Sequence, residues 1–340
     1  MNKKAANLDL ILKKVSRTLY LSLAILPEEI RRQLSAGYLI CRAMDSVVDS
    51  VDIKVEEKKR LLSCFDLSLD GEQAFLSKGL QAAAEKLSDR WEKELLAVFP
   101  HILYLVSYFS DEEKKLLKTL IKGVRKGMET DLNVFGEPSH LVALKTEKDL
   151  IQYCRQIGGV PGIFWHGVYN SYLRGKLGDP LVRNSAYQIG TALQLTNIIK
   201  DVHEDLLKGR CYFPQEDLVS MGLNPDDLLN KDKFGAFRPV LNRWILQAVD
   251  LLDTCENFLF SISKAQFSMR AAVIWPVYWA MDSLHETAIS NPLSGKVKIG
   301  RKKIYSTLIR TPSLLVADSV FQRGYRFRRE TLITSMAWNL

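Results

Sequence analysis

Along most of the chain apolar residues return every third or fourth position, and alternating runs bounded by turn residues are scarce. That period predicts an all-α fold. Helices are expected over residues 6–20, 27–50, 54–66, 111–131, 147–173, 181–207, 236–262, 266–289 and 313–330. Their ends are marked by Pro27, Gly136/Pro138, Gly178/Pro180, Gly209, Pro214, Pro292 and Pro312. Residues 133–145 form the longest polar loop candidate. No fixed-period repeat or low-complexity tract is present, which argues against a helical solenoid.

A length of 340 residues with 47% hydrophobic content suffices for a substantial core. One domain over residues 1–340 is expected, with 313–340 as a C-terminal helical tail. The net charge of +8 favours an anionic partner. Without a concentrated basic tract interleaved with aromatics, or a zinc-finger or RRM signature, nucleic acid is not the expected one. The five cysteines are widely spaced without a CxxC pair, and the five histidines form no HExxH, so zinc and disulfide chemistry are not expected. The apolar run Leu19–Leu26 is short and meets Pro27-Glu28-Glu29, so it reads as a mature helix rather than a signal peptide. No stretch reaches the roughly 18 to 20 apolar residues of a membrane span, and a cytoplasmic protein is expected. The end RGYRFRRETLITSMAWNL reads either as a helix closing the bundle or as a peripheral contact with an anionic bilayer.

Two stripes of polar residues change the picture from fold to chemistry. In YLICRAMDSVVDS, Tyr38, Arg42, Asp45 and Asp49 follow a 4, 3, 4 progression on one helical face, inside an otherwise apolar segment. Asp66 and Asp70 share the Asp45/Asp49 spacing without that setting. Carboxylates in so apolar a stretch are costly unless paired or metal-bound, and Arg42 can offset their charge or grip a phosphate. In QLTNIIKDVHED, Gln194, Asn197, Asp201 and Asp205 are spaced 3, 4 and 4, again one stripe. Such oxygen ligands suit a hard cation such as Mg2+ bridging carboxylates to phosphates, with Lys200, Lys208, Arg210 and the backbone near Gly209 able to complete an anion site. Two such stripes imply a cavity holding metal-bridged diphosphate, the geometry for ionising an allylic diphosphate away from water.

The blocks SRTLYLSLAILP (16–27), YLICRAMDSVVDS (38–50), YCRQIGGVPG (153–162) and GTALQLTNIIKDVHEDLLKGRCYFPQEDL (190–218) resemble, in order and content, the squalene and phytoene synthases. These are the head-to-head trans-isoprenyl diphosphate synthases, and the likeness covers about residues 10 to 310. It implies a single-domain isoprenoid synthase helical bundle with a central cavity, in which Asp45, Asp49, Asn197, Asp201 and Asp205 hold Mg2+, or Mn2+ in its place. Ser16, Arg17, Tyr38, Arg42, Gln194, Asn197 and Arg210 would lie near the diphosphates of two farnesyl diphosphate molecules. Tyr153, with Tyr38 and Arg42 as further catalytic candidates, would assist the proton loss that gives presqualene diphosphate. NIIKD and PQED look closer to squalene synthase, and GKVKIGRKK (295–303) resembles a stretch associated with the NADPH phosphate, for which Lys298 and Arg301 are the candidates. The alternatives are a phytoene, dehydrosqualene or hydroxysqualene synthase, or a non-catalytic assembly factor. Gly158 and Pro161 depart from the alanine and valine usual in the family, and Lys200 from its arginine.

Overall fold

The computed structural model describes residues 3–16, 18–68, 73–136 and 141–337. They divide into two compact units, one of residues 1–136 and 164–176, the other of 137–163 and 177–340. Apart from two strands of two residues each, the regular structure described is helical, as the periodicity predicts.

The first unit contains α1 (Lys3–Ser16), α2 (Leu19–Ala24), α3 (Glu28–Asp49), α4 (Val55–Ser68), α5 (Gln73–Lys86), α6 (Arg90–Ala97), α7 (Phe99–Ser107) and α8 (Asp111–Phe135). Pro27 precedes α3, whose first turn carries Glu28 and Glu29 against the positive end of the helix dipole. A capping box between Ser110 and Glu113 starts α8. These two helices approach closely at Gly37, where a side-chain carbon would stand 2.5 Å from Phe164 and 2.9 Å from Leu120. Ile30, Leu34, Ala43, Met44 and Val47 of α3 are buried with Leu120, Ile121 and Val124 of α8. That packing fixes which face of α3 carries its polar stripe.

In the second unit β1 (Val142–Ala143) precedes α9 (Glu147–Cys154), a π-helical turn (Arg155–Gly159) and α10 (Val160–Tyr172), which enters the first unit at Phe164. Then come α11 (Pro180–Lys200), α12 (Val202–Leu207), β2 (Arg210–Cys211), α13 (Gln215–Ser220), 3-10 turns at Pro225–Leu229 and Lys231–Lys233, α14 (Phe234–Leu252), α15 (Cys255–Ser261), α16 (Phe267–Ala288), α17 (Arg301–Val316) and α18 (Asp318–Ala337). The strands pair in parallel, Val142 with Arg210 and Ala143 with Cys211. Part of the expected 133–145 loop is therefore structured, although 137–140 lie outside the described residues.

Several expected helices are broken where tertiary contacts outweigh the local period. The span 147–173 widens into the π turn just before Pro161, whose missing N–H cannot bond Ile157. The span 181–207 breaks at Asp201, 236–262 breaks after Leu252, and 6–20 becomes α1 and α2. Pro312 does not terminate a helix. It lies inside α17, which is anchored by a 2.8 Å hydrogen bond from Trp275 Nε1 to Thr311 Oγ1 and by buried Leu314 and Leu315. The expected 313–330 helix is thus the end of α17 and most of α18, parted at Ala317. Helix α18 buries Phe321, Tyr325, Leu332 and Met336, and its Phe321 carbonyl accepts from Tyr278 Oη at 2.8 Å. Up to residue 337 it is therefore a packed part of this unit. Helices α5, α6 and α7, not anticipated from the pattern, complete the first unit.

Candidate functional site

Each unit presents one of the two stripes. On α3, Leu39, Ile40, Ala43, Met44, Val47 and Val48 are buried, so Arg42 and Asp45 come out half-buried and Asp49 exposed on the remaining face. Arg42 donates through Nη1 to Asp45 and through Nη2 to Glu92 of α6. Burial alone would lower its pKa, but Asp45, Glu92, Tyr38 and Asp49 outweigh that and hold it above the ordinary arginine value. Its Nε is buried without a hydrogen-bond partner. Tyr38 Oη donates to the Val15 carbonyl at 2.9 Å, and buried Ser16 donates to the Leu12 carbonyl, which ties the end of α1 to this stripe. Arg17 lies outside the described residues, as does Asp70. Asp66 pairs with Arg125 at 3.0 Å, a structural role unlike that of the stripe.

The second stripe is set by the junction of α11 and α12. Asp201 caps the end of α11 with φ −99° and ψ 13°, yet its N–H still bonds Asn197 O at 2.9 Å and its own carbonyl accepts from Asp205 N at 3.1 Å. The turn-to-turn bonding therefore survives the break. Gln194 and Asp205 are half-buried, and Asn197 is exposed. Lys200 donates to Asp201 Oδ2, while Lys296 bonds Glu204 and stands 3.8 Å from Asp201 Oδ1, an ion pair too long for a hydrogen bond. As a result Asp201 Oδ1 and Glu204 Oε2 are buried acceptors without a hydrogen bond. Gly209, at φ 76°, turns the chain from α12 into β2, where Arg210 sits.

The YCRQIGG segment packs against α11 beside this stripe. At Gly158 a side-chain carbon would meet Gly190 O at 2.2 Å and Gln194 Cβ at 2.7 Å. Just before it, buried Tyr153 stacks on buried Tyr212 with ring centres 4.9 Å apart, and its hydroxyl donates to the Tyr212 hydroxyl at 3.4 Å. Lys298 and Arg301 are exposed, Lys298 in the segment leading to α17 and Arg301 in that helix's first turn. Their neighbour Lys296 is the residue that reaches Asp201. His203 Nδ1, 2.9 Å from the Leu293 carbonyl, ties the same segment to α12.

Among the described residues no three His, Cys, Asp or Glu side chains converge into a ready-made metal cage. A hard divalent cation fits nonetheless, because Asp201 and Glu204 hold buried oxygens short of donors and because such ions commonly complete their shells with water and substrate phosphates. Sequence reasoning missed Glu92, Glu204, Tyr212 and Lys296. Glu204 was readable in DVHED, Tyr212 in RCYFPQED and Lys296 in GKVKIG, but Glu92 comes from a distant segment without a motif of its own.

Comparison with known proteins places this geometry in context. The family model for squalene/phytoene synthase matches residues 12–301. Chloroplastic phytoene synthase 1 of Zea mays is 27% identical over 279 residues, 79% of this chain and 57% of that protein. A squalene synthase of Candida albicans is 26% identical over 323 residues, 92% of this chain and 68% of that protein. The chain thus spans 57% to 64% of the length of the first three plant phytoene synthases it matches. Among solved structures, TcSQS in complex with BPH1237 superposes with a TM-score of 0.76 at 22% identity, covering 97% of this chain and 96% of that one. A dehydrosqualene synthase gives 0.64 at 20% identity over 91% and 95%. Among the described residues no helix is long and apolar enough to cross a membrane.

Proposed function

The chain belongs to the squalene/phytoene synthase family, whose members are prenyl-transferring enzymes, and from that premise we propose that it is a squalene synthase. It would join two farnesyl diphosphates head to head through presqualene diphosphate and then reduce that intermediate to squalene. The observation that carries the reading is the QLTNIIKD stripe ending in Asp201, a buried carboxylate oxygen without a donor beside two lysines.

Asp45 and Asp49 on α3, with Asn197, Asp201 and Asp205 in the second unit, are the residues that would hold Mg2+. The metal would neutralise the diphosphate leaving group as negative charge develops. Arg42, held cationic by its carboxylate neighbours, is suited to bind phosphate oxygens directly, and Gln194 and Arg210 add polar contacts at the second stripe. The Tyr153 hydroxyl, in a buried stack with Tyr212, would assist removal of the proton lost as the cyclopropane closes, with the diphosphate released in the first ionisation as its final acceptor. The buried Tyr153 and Tyr212 rings would help keep water from a carbocation there. Lys298 and Arg301 are exposed cations that fit the phosphate of NADPH, which would supply the hydride for the last step.

The matches to plant phytoene synthases and to a dehydrosqualene synthase support a second reading, in which the rearranged cation loses a proton and no reductant is used. Purified protein incubated with farnesyl diphosphate and Mg2+, with and without NADPH, distinguishes the two by mass spectrometry of the hydrocarbon. Squalene formed only with NADPH is the expected result. Dehydrosqualene in both reactions, or no C30 product, would rule out the squalene assignment.

A further inference from the structure

Helices α16, α17 and α18 line an open cavity of about 330 Å³ whose lining includes His285, Lys302, Lys303, Arg310, Phe327 and Arg328. Two of its four cations are already matched. Lys303 donates to Glu286 at 2.6 Å, and Arg328 donates through Nε to Asp282 at 3.2 Å while lying 4.0 Å from the centre of the Tyr278 ring. Lys302 and Arg310 are exposed and form no ion pair with the described residues. His285 Nδ1 is buried without a hydrogen-bond partner. Burial, with Lys303 adding to it, holds this imidazole below its ordinary pKa of 6.5, so the ring is neutral at pH 7 and one of its nitrogens carries a hydrogen to donate. Phe327, 69% exposed, and Met281 supply an apolar wall.

We propose that this cavity binds a phosphate ester. Lys302, Arg310 and the His285 ring face the tetrahedral anion, and the organic part of the ester rests on Phe327 and Met281. Three donors suit a phosphoryl group better than a planar carboxylate, and the unmatched cations supply the charge-assisted bonds. Lys302 lies next to Arg301 in the 295–303 stretch, but neither it nor Arg310 and His285 belongs to a carboxylate stripe or to the Lys298/Arg301 pair, so the inference does not rest on the ionisation chemistry proposed above.

Calorimetric titration of the full-length protein without Mg2+ tests it, with phenyl phosphate as probe and inorganic phosphate as the ester-free comparison. Wild-type protein should bind phenyl phosphate, and an Arg42→Ala variant run beside it separates any phosphate held at the α3 stripe from binding at this cavity. A Lys302→Ala/Arg310→Ala double variant should bind it about tenfold or more weakly, while Lys302→Arg retains binding. Phe327→Ala, altered only at an exposed ring, should weaken phenyl phosphate but not inorganic phosphate, which keeps the test decisive if the double variant folds poorly. Equal affinity in wild type and the double variant, or no effect of Phe327→Ala, would overturn the proposal. Co-sedimentation with phosphatidylcholine vesicles containing phosphatidic acid identifies the source of the ester. Binding lost in the double variant marks a lipid headgroup, whereas phenyl phosphate binding without vesicle binding marks a soluble ester.

Discussion

Replacing Gly158 by alanine places a methyl group where no carbon fits. Its Cβ would stand 2.2 Å from the Gly190 carbonyl oxygen, 2.9 Å from the carbonyl carbon and 2.7 Å from Gln194 Cβ. Because the nearest atoms are backbone, no rotamer relieves the overlap, and the π turn must move off α11 by nearly an ångström. Overpacking of this kind costs about 3 kcal/mol, at the upper end of the usual range. With an unfolding entropy of roughly 2.1 cal/mol/K per residue, 340 residues give about 0.7 kcal/mol/K, so the melting midpoint should fall by about 4 °C. Gly235→Ala is the matched control, since nothing lies within 4 Å of its added carbon. It lies near the start of α14 and should leave stability unchanged or raise it by about 0.4 to 1 kcal/mol. Scanning fluorimetry of the three proteins at one heating rate makes the comparison. Because Gln194 is the side chain displaced, Gly158→Ala should also lose product formation at temperatures where it remains folded. A Gly158→Ala midpoint within a degree of wild type, with full activity, would refute the packing argument.

Asp201→Asn removes the charge that pairs with Lys200 and Lys296 while keeping shape. The concentration of Mg2+ needed for half-maximal activity should rise about tenfold or more, whereas Asp66→Asn, at an aspartate paired with Arg125, should leave it unchanged. His285 is held below its ordinary value of 6.5 by burial and Lys303, so the unfolded chain binds its proton first and stability is lost as pH falls through 6.5. Melting curves of wild type should therefore fall more steeply below that pH than those of His285→Gln; parallel curves would contradict the assignment. Cys154, Cys211 and Cys255 are buried, and burial pushes the Cys211 thiol up to about 12. Burial, with Asp45 adding to it, raises Cys41 to about 12 as well. A thiol reagent at mildly alkaline pH should then react rapidly with one cysteine, and Cys64→Ser should abolish that fast phase.

Both candidate stripes were legible in the sequence because helical spacing alone decides which side chains share a face. Tyr38, Arg42, Asp45 and Asp49 occupy one side of α3 as their spacing requires, and the apolar residues between them are buried. The second stripe was readable for the same reason, and its turn-to-turn bonding persists although the helix breaks at Asp201. What spacing could not supply were partners from distant segments. Glu92 reaches Arg42 from α6, Tyr212 stacks on Tyr153 from beyond β2, and Lys296 reaches Asp201 from 95 positions further along the chain. Likewise Pro161 and Pro312 carry the same local signal, yet one follows a π turn packed against α11 and the other continues a helix anchored through Trp275. Local sequence determines which residues can share a helical face. Close packing between segments, absent from any local pattern, decides where those helices bend and which charges meet.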